Sequence, residues 1–369
     1  MVLFTDIEPE PPAHRKNGWV GWSILCTALA GLIVIAFVPA PFVIEIPGPV
    51  FDTLDSVSFD GEELPLISIE DEPTYETSGS LSLLTVSRVG NRENLPNWVE
   101  VAFAYFDASK AVVPVDAVYP VGVSVEQSNE AGRVLMENSQ QEAVAAALTE
   151  LGHEFESSLT VVEVVDGTPA AGVFEPGDVI QTVNGATFDD VSGLRREIGD
   201  NGADRPARVV VLRDGERQTL EVTPTMSEGE GSAPVFGIIV GGEYEFPFEV
   251  DIQLQNVGGS SAGMMFALGI IDKLTPGELT GGEDVAGTGE ITAAGEVGAI
   301  GGIRQKLYGA RDAGAEWFLA PQSNCDEVTG HVPSGITVFA VQTLDDALEA
   351  LDVIESGADV SGLPTCPAA

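Results

Sequence analysis

Basic residues are scarce in this chain. Its 369 residues include 16 lysines and arginines against 58 aspartates and glutamates, which gives a formal net charge of −42. A protein that binds nucleic acid needs a basic surface to neutralise phosphates, so this composition argues against nucleic acid as a partner. The acidic excess is typical of a solvated surface that keeps a protein soluble. Lysine occupies only positions 16, 110, 273 and 306, so a lysine within a distinctive motif is informative.

Cysteine and histidine are also rare, with three residues of each type. They form no cluster with the spacing of a metal site, and we expect neither a metal nor a cofactor. Cys325 and Cys366 both follow the apolar N-terminal segment. If that segment places them in an oxidising compartment, we expect one disulfide that ties the C-terminal tail to the last domain.

Charged side chains are absent from residues 17–44. The apolar core of this segment has the roughly 20 residues that a helix needs to cross a bilayer. Basic residues at 14–16 precede it, and the positive-inside rule then puts the N-terminus in the cytoplasm. We predict a cytoplasmic tail (1–17), a transmembrane helix (18–44) and an extracytoplasmic remainder at the cell membrane. A cleaved signal peptide is the alternative, although its apolar region is normally about 7–15 residues long.

Two glycine-rich turns each precede a predicted helix. One is GGSSAG at 258–263, and the other is GGIRQK at 301–306. A serine at a helix N-terminus lies beside unpaired backbone N–H groups, which suit an oxyanion. A lysine becomes a base when burial lowers its pKa, whereas the guanidinium of Arg304 stays protonated. A serine and a lysine that meet in space can make a nucleophile and its base. The alternative is a helix-start loop with a capping serine.

The rest of the chain divides by pattern. Residues 45–150 are predicted as a β-rich N-terminal region, with strands at 81–86 and 99–104 and a helix at 129–151. Strands interleaved with helices at 227–356 predict an α/β domain, and residues 357–369 form a C-terminal tail.

Residues 167–185 read GTPAAGVFEPGDVIQTVNG, and this run resembles a PDZ domain. The resemblance covers residues 151–226. It implies a mostly β domain that binds peptides by adding a strand to a sheet edge. In that family a hydrophobic residue and a glycine ahead of the first strand bind the peptide carboxylate. Leu151 and Gly152 are the nearby candidates, and a simple spacer domain is the alternative.

Three short motifs lie between residues 259 and 306: GSSAG at 259–263, GTGEIT at 287–292 and GGIRQK at 301–306. They are similar to Gly-Pro-Ser-Ala-Gly, Thr-Gly-Glu-Ile-Thr and Gly-Gly-Leu-Lys-Glu-Lys of the Lon proteolytic domain, whose proteases use a Ser–Lys dyad. The chain as a whole most resembles the membrane-anchored, PDZ-containing Lon-like proteases of bacteria.

This resemblance implies roles for individual residues. Ser261 matches the nucleophile, Lys306 matches the base, and Thr288 matches the threonine expected to hydrogen-bond the lysine. The neighbours of the nucleophile are implied in the oxyanion loop, namely Gly259, Ser260 and Ala262. Ser260 replaces the usual proline, and Gly258 stands where many relatives carry an aspartate.

The sequence therefore predicts an α/β (α+β) Lon-type proteolytic domain, preceded by a PDZ domain and one transmembrane helix. No ATP-binding Gly-x-x-x-x-Gly-Lys-[Ser/Thr] motif occurs, so we expect an ATP-independent serine endopeptidase acting on unfolded or flexible proteins and peptides. The PDZ domain is expected to select or gate these substrates, and the resemblance permits a homo-oligomeric ring. The alternative function is a catalytically silent PDZ adaptor at the membrane.

Overall fold

The computed structural model describes residues 18–59, 61–119, 124–165, 167–188, 190–227, 233–254 and 257–366, without the side chains at positions 18, 20, 30, 32–36, 59 and 192. The predicted cytoplasmic tail lies outside the described residues. The first third of the described chain contains α1 (Gly18–Phe37), β1 (Phe42–Asp52), β2 (Ser56–Phe59), β3 (Glu62–Pro65), β4 (Ile67–Ile69), β5 (Ser80–Val89), α2 (Trp98–Tyr105), β6 (Ala111–Pro114), α3 (Val115–Val118) and α4 (Val125–Glu150).

Two further groups of elements follow. The middle group contains β7 (Glu156–Val164), β8 (Val179–Val183), α5 (Val191–Asn201), β9 (Ala207–Arg213), β10 (Glu216–Val222), β11 (Thr225–Met226), β12 (Pro234–Val235) and β13 (Ile238–Glu245). The last group contains β14 (Val250–Ile252), α6 (Gly263–Leu274), β15 (Asp284–Gly287), β16 (Glu290–Ile291), β17 (Val297–Gly298), α7 (Ile303–Ala313), β18 (Trp317–Pro321), α8 (Cys325–Val328), β19 (Thr337–Val341) and α9 (Leu344–Glu355).

The predicted transmembrane helix at 18–44 needs correction. Helix α1 ends at Phe37 and strand β1 begins at Phe42, because Pro39 and Pro41 in the connection cannot continue a helix. Ile44, predicted inside the membrane span, pairs instead with Val89 of β5. Within the residues and side chains that the structure describes, no helix combines the length and the apolarity needed to cross a membrane. The structure therefore does not support the predicted span.

A six-stranded mixed sheet forms the larger part of the molecule, in the order β19–β18–β15–β5–β1–β6. Strands β5, β15, β18 and β19 run parallel, and β1 is antiparallel to both its neighbours. The predicted N-terminal region, 45–150, is therefore not a separate unit from the predicted proteolytic domain, 227–356. Sequence periodicity shows that a segment is a strand but does not show its distant partner, which explains this error.

One predicted strand, residues 99–104, forms helix α2 instead. Asn97 caps this helix, because its side chain accepts the N–H groups of Val99 and Glu100 while the Glu100 carboxylate accepts the N–H of Asn97. This reciprocal capping box stabilises a helix start and outweighs the strand preference of the valines. The predicted strand at 81–86 is confirmed within β5, and the predicted helix at 129–151 is confirmed within α4.

The middle group folds as a unit inserted between α4 and β14. Its five-stranded antiparallel sheet has the order β10–β9–β8–β7–β13 and a core of its own. The predicted boundary at residue 226 is wrong, because β13 pairs with β7 along its whole length, from Glu156 to Val164. The inserted unit therefore runs from 156 to 245.

Helices α6 and α7 pack on opposite faces of the large sheet. The buried residues of α6 share a core with Leu83 of β5 and Val285 of β15, whereas α7 shares a core with Leu84 and Ala286. Successive side chains of a strand point to opposite faces, so the two helices are separated by the sheet. The turn before α6 and the first turn of α7 meet past the C-terminal end of β15, where Thr288 follows the last strand residue.

Candidate active site

Ser261 lies two residues before helix α6, in a turn of small residues. Gly259 adopts a φ of 98°, in the left-handed region where a side chain would be strained. Ala262 precedes the helix and Gly263 begins it. A Cβ atom at Gly263 would lie 2.9 Å from Cγ2 of Ile291, so only glycine allows this loop to approach β16. The turn consequently holds the serine at the helix start.

Ser261, Lys306 and Thr288 meet in space, as the motif resemblance implied. Lys306 Nζ lies 2.7 Å from Ser261 Oγ and 2.8 Å from Thr288 Oγ1. Lys306 is 2% exposed although it lies on the first turn of α7. The turn before α6, the first turn of α7 and the residue after β15 therefore each supply one member of the site.

Thr288 sets the direction of the hydrogen bonds. Its hydroxyl donates to the carbonyl oxygen of Ser261 at 2.8 Å, so its oxygen accepts an N–H from Lys306. A neutral amine has one lone pair, and this arrangement leaves that lone pair for the hydroxyl proton of Ser261. The geometry therefore suits transfer of the serine proton to the lysine.

The pKa of Lys306 agrees with its proposed part as acceptor of the Ser261 proton. Burial lowers the pKa of its ammonium to about 7, and the negative charge of Glu290 partly opposes that effect. An amine with a pKa near neutral pH is a good general base. The pKa of Lys306 is thus lowered, which is the direction that a base requires, and the main cause is desolvation.

Ser260, the other candidate nucleophile, has a different partner. Its hydroxyl is hydrogen-bonded to the Glu290 carboxylate, while Lys306 contacts Ser261. A carboxylate so placed orients a hydroxyl, but only the hydroxyl of Ser261 has both a loop position at the helix start and the Lys306 amine as an adjacent base. The structure therefore favours Ser261 over Ser260 as the nucleophile.

Backbone N–H groups around Ser261 provide an oxyanion site. Among the described residues, the N–H groups of Ser260, Ser261 and Ala262 have no acceptor. The N–H of Gly259 is already used, since it donates to Gly132 O at 2.9 Å. Gly259 therefore shapes the loop, and the predicted oxyanion donors reduce to Ser260 and Ala262, with the N–H of Ser261 itself as a further donor.

Helix α4 explains why Gly258 stands where relatives carry an acid. A Cβ atom at Gly258 would lie 3.1–3.3 Å from the C, Cα and O atoms of Gly132, which is closer than a side chain normally packs. The backbone of α4 thus fills the space that an aspartate would need. Sequence reasoning missed Gly132, because a glycine within a helical pattern carries no mark of its partner.

A cleft of about 600 Å³ opens beside the catalytic pair. Its lining includes the nucleophile loop, Met136, Glu290 and residues 84–88 of β5. Strand β15 pairs with β5 only over residues 80–83. Beyond that point, no described strand pairs with this edge of β5, which therefore faces the cleft with unpaired backbone groups.

The other predicted sites have different outcomes. Cys325 and Cys366 form a disulfide with a Cα–Cα distance of 5.0 Å, which ties the C-terminal segment to α8 as predicted. Leu151 and Gly152 end helix α4, and the β7 strand that follows is paired on both edges. Strand β7 therefore lies inside the sheet and not at its edge, and the peptide-binding role of Leu151 and Gly152 stays a prediction.

A better candidate for that role lies later in the chain. Strand β13 is the edge strand of the inserted sheet, and Phe236-Gly237-Ile238 leads directly into it. This is the hydrophobic–glycine signature, displaced from its expected place ahead of β7. Gly237 has a φ of 86°, and a Cβ atom there would overlap Thr168. The signal was present in the sequence but at the opposite end of the domain.

Comparison with known proteins agrees with the two motif resemblances. Residues 256–353 match the model of the Lon protease (S16) C-terminal proteolytic domain. The chain contains a Lon-type proteolytic domain. Residues 121–223 match the PDZ domain model, so that match begins before α4 and ends before β13.

Curated relatives that match part of the chain are Lon proteases. Lon protease 2 of Herpetosiphon aurantiacus is 44% identical over 93 residues, which is 24% of this chain and 11% of that protein. Lon protease 1 of the same organism is 32% identical over 155 residues, 41% of this chain and 18% of its own. Lon protease 1 of Bacillus subtilis is 26% identical over 188 residues, 48% of this chain and 24% of its own. The chain thus spans a quarter or less of these relatives, and the shared domain supports a serine peptidase.

Proposed function

We propose that this chain is a serine endopeptidase that uses the Ser261–Lys306 dyad. The observation that carries the proposal is the 2.7 Å contact between Ser261 Oγ and a buried Lys306 Nζ, whose pKa is lowered to about 7. A peptide carbonyl reaching Ser261 would be attacked by Oγ as the hydroxyl proton moves to Lys306. The resulting oxyanion would be stabilised by the unpaired N–H groups of the loop.

The second half of the reaction uses the same groups. The ammonium of Lys306 would protonate the leaving amine, which breaks the peptide bond and leaves an acyl ester on Ser261. Water then attacks this ester as Lys306 accepts its proton; the bond from the carbonyl carbon to Oγ breaks, the proton passes from Lys306 to Ser261, and the carboxylic acid product leaves. Thr288 keeps the lysine aimed at Ser261 throughout, because its own proton is committed to the Ser261 carbonyl.

Extended peptides suit this site best. The unpaired edge of β5 runs along the cleft from residue 84 to residue 88, and an added peptide strand would satisfy its backbone groups. A folded protein cannot present a free strand, so unfolded or flexible proteins are the proposed substrates. On the inserted domain, β13 offers a second open edge at which we propose that peptides are selected.

Degradation of a labelled, permanently unfolded protein by the purified chain, without ATP, tests the proposal. Ser261→Ala should abolish cleavage, because no other serine among the described side chains contacts Lys306. Ser260→Ala is the matched control, since it removes the neighbouring hydroxyl and leaves the dyad intact. Cleavage that survives Ser261→Ala, or that is lost only in Ser260→Ala, would contradict the assignment.

Attachment to a membrane and assembly into a ring are separate from this proposal. Both stay predictions, the first from the apolar segment 17–44 and the second from the resemblance alone. Alkaline extraction of cell membranes tests the first: the chain should stay with the lipid, and its release with soluble proteins would count against attachment.

A further inference from the structure

Helix α4 contacts both the nucleophile loop and the inserted domain, through two different faces. One face carries Gly132, Met136 and Ser139, spaced four and three residues apart, and it meets the loop and the cleft. The other face carries Asn138 and Glu142, spaced four residues apart, and it meets the inserted domain. Residues three or four apart lie on one side of a helix, so the same rigid element touches both units.

The contacts on the first face hold the two loop residues directly before the nucleophile. Gly132 O accepts the N–H of Gly259 at 2.9 Å, and the Ser139 hydroxyl donates to Ser260 O at 2.9 Å. Ser139 is 5% exposed, so water cannot readily replace it. These two bonds fix the carbonyl and N–H groups directly before Ser261.

The contacts on the second face reach the open edge of the inserted sheet. Asn138 Nδ2 donates to Val240 O of β13 at 3.4 Å, and a Cβ atom at Gly241 would lie 3.7 Å from Asn138 Oδ1. Asn138 therefore rests on the strand at the edge where a peptide would add.

Glu142 continues this contact one turn further along. Its side chain is buried in the field of Asp190 and Arg195 of the inserted domain and of Glu290 beside Ser260. Burial, with the charges of Asp190 and Glu290, raises the pKa of this carboxyl to about 8. A neutral Glu142 lets α4 pack between two acidic groups at neutral pH.

We propose that α4 couples strand β13 of the PDZ domain to the nucleophile loop, with the adjacent residues Asn138 and Ser139 as the two ends of the link. Asn138 and Ser139 are positioning residues, since neither touches the reacting atoms. Docking of β13 against α4 holds the loop in the geometry that keeps Ser261 aimed at Lys306. A peptide that adds to β13 competes with Asn138 and thereby loosens the loop. The effect on turnover rests on the proposed function, but the effect on loop order does not.

Hydrogen–deuterium exchange of the full chain tests the coupling directly. Asn138→Ala and Ser139→Ala should each speed amide exchange in residues 257–263, by roughly 2- to 30-fold. Gln141→Ala is the matched control, because Gln141 lies on the exposed side of the same helix and should leave exchange unchanged. Unchanged loop exchange in Asn138→Ala would overturn the coupling, even if the chain were not a peptidase.

Turnover of a short chromogenic peptide gives the functional readout. Both variants should lower kcat in the same range while KM and the melting temperature stay near those of the unmodified chain, because the position of Ser261 changes and the β5 edge of the cleft does not. A fall in kcat that came together with a fall in the melting temperature would indicate a merely structural contact and would overturn the positioning role. Absence of turnover in the unmodified chain would reject the proposed function and leave the exchange result to decide the coupling.

Discussion

Two lysines lie at the two ends of helix α6: the buried Lys306 beside its start and the half-buried Lys273 in its last turn. The partners of the two lysines differ. At the N-terminal end, Lys306 contacts the hydroxyl groups of Ser261 and Thr288. Hydroxyl groups carry no charge, so they do little to offset the cost of burying an ammonium. Burial therefore lowers the pKa of Lys306 to about 7, and the more distant Glu290 opposes this only in part.

At the C-terminal end, Lys273 is surrounded by acids. Burial lowers the pKa of Lys273 as well, but Asp272, Asp52 and Asp55 oppose it. Its Nζ donates to Leu54 O at 3.3 Å, and the last turn of a helix favours a cation. The comparison shows that burial alone does not make a lysine a base. The groups around a catalytic lysine must be uncharged, so that the neutral amine is favoured, and one of them must be the nucleophile.

Replacing each lysine by methionine gives the largest expected contrast. Lys306→Met should reduce kcat at least about 10³-fold, because members of a catalytic pair act as a unit. Lys273→Met should leave kcat within about threefold, because it lies roughly 18 Å from Ser261 along α6 at 1.5 Å per residue. Initial rates on an unfolded protein substrate measure both. Comparable losses in the two variants would mean that Lys306 supports the fold and is not the base.

Removing the hydroxyl that orients Lys306 should have a smaller effect. Thr288→Val keeps the side-chain shape in a fully buried position but loses the acceptor for Lys306 and the donor to Ser261 O. We expect kcat to fall roughly 10- to 100-fold with little change in KM, because a misdirected amine is a poorer base.

Thr288→Ser is the control for that variant. Serine retains the hydroxyl, so steady-state kinetics should show most of the activity preserved. If the serine variant lost as much activity as the valine variant, the methyl group and its packing would matter and the hydrogen bonds would not.

The candidate catalytic residues were predictable because each lies in a short motif whose chemistry is local. A serine at a glycine-rich helix start and a lysine on a first helical turn are recognisable without knowing the fold, and the Lon resemblance added Thr288. Glu290 lies in the same motif as Thr288, so its presence in the site could have been predicted from the sequence. Its hydrogen bond with Ser260 could not.

The errors came from contacts between distant segments. Strand β13 joins β7 across more than 70 residues, so the domain boundary at 226 looked plausible from the linker composition alone. The contact of α4 with the nucleophile loop depends on Gly132 and Ser139, and small residues in a helix have no periodic signature. Such pairings depend on tertiary packing, which overrides local pattern.

The smallest predicted effect concerns the charge of Glu290. Catalysis needs neutral Lys306, so kcat/KM should rise with pH and reach half its plateau near the lysine pKa of about 7. The carboxylate of Glu290 favours the ammonium and so raises that pKa. Glu290→Gln removes the charge and keeps an acceptor for Ser260, and the midpoint should therefore move to lower pH, by less than about one unit.

Ser260→Ala separates this charge effect from the hydrogen bond between Ser260 and Glu290. It removes the hydrogen bond but leaves the carboxylate, so the midpoint of its pH profile should stay near that of the unmodified chain. A midpoint that moved equally in both variants would attribute the shift to loop geometry. A midpoint that rose in Glu290→Gln would show that Lys306 does not sense this carboxylate as proposed, since loss of a nearby negative charge can only make the ammonium easier to deprotonate.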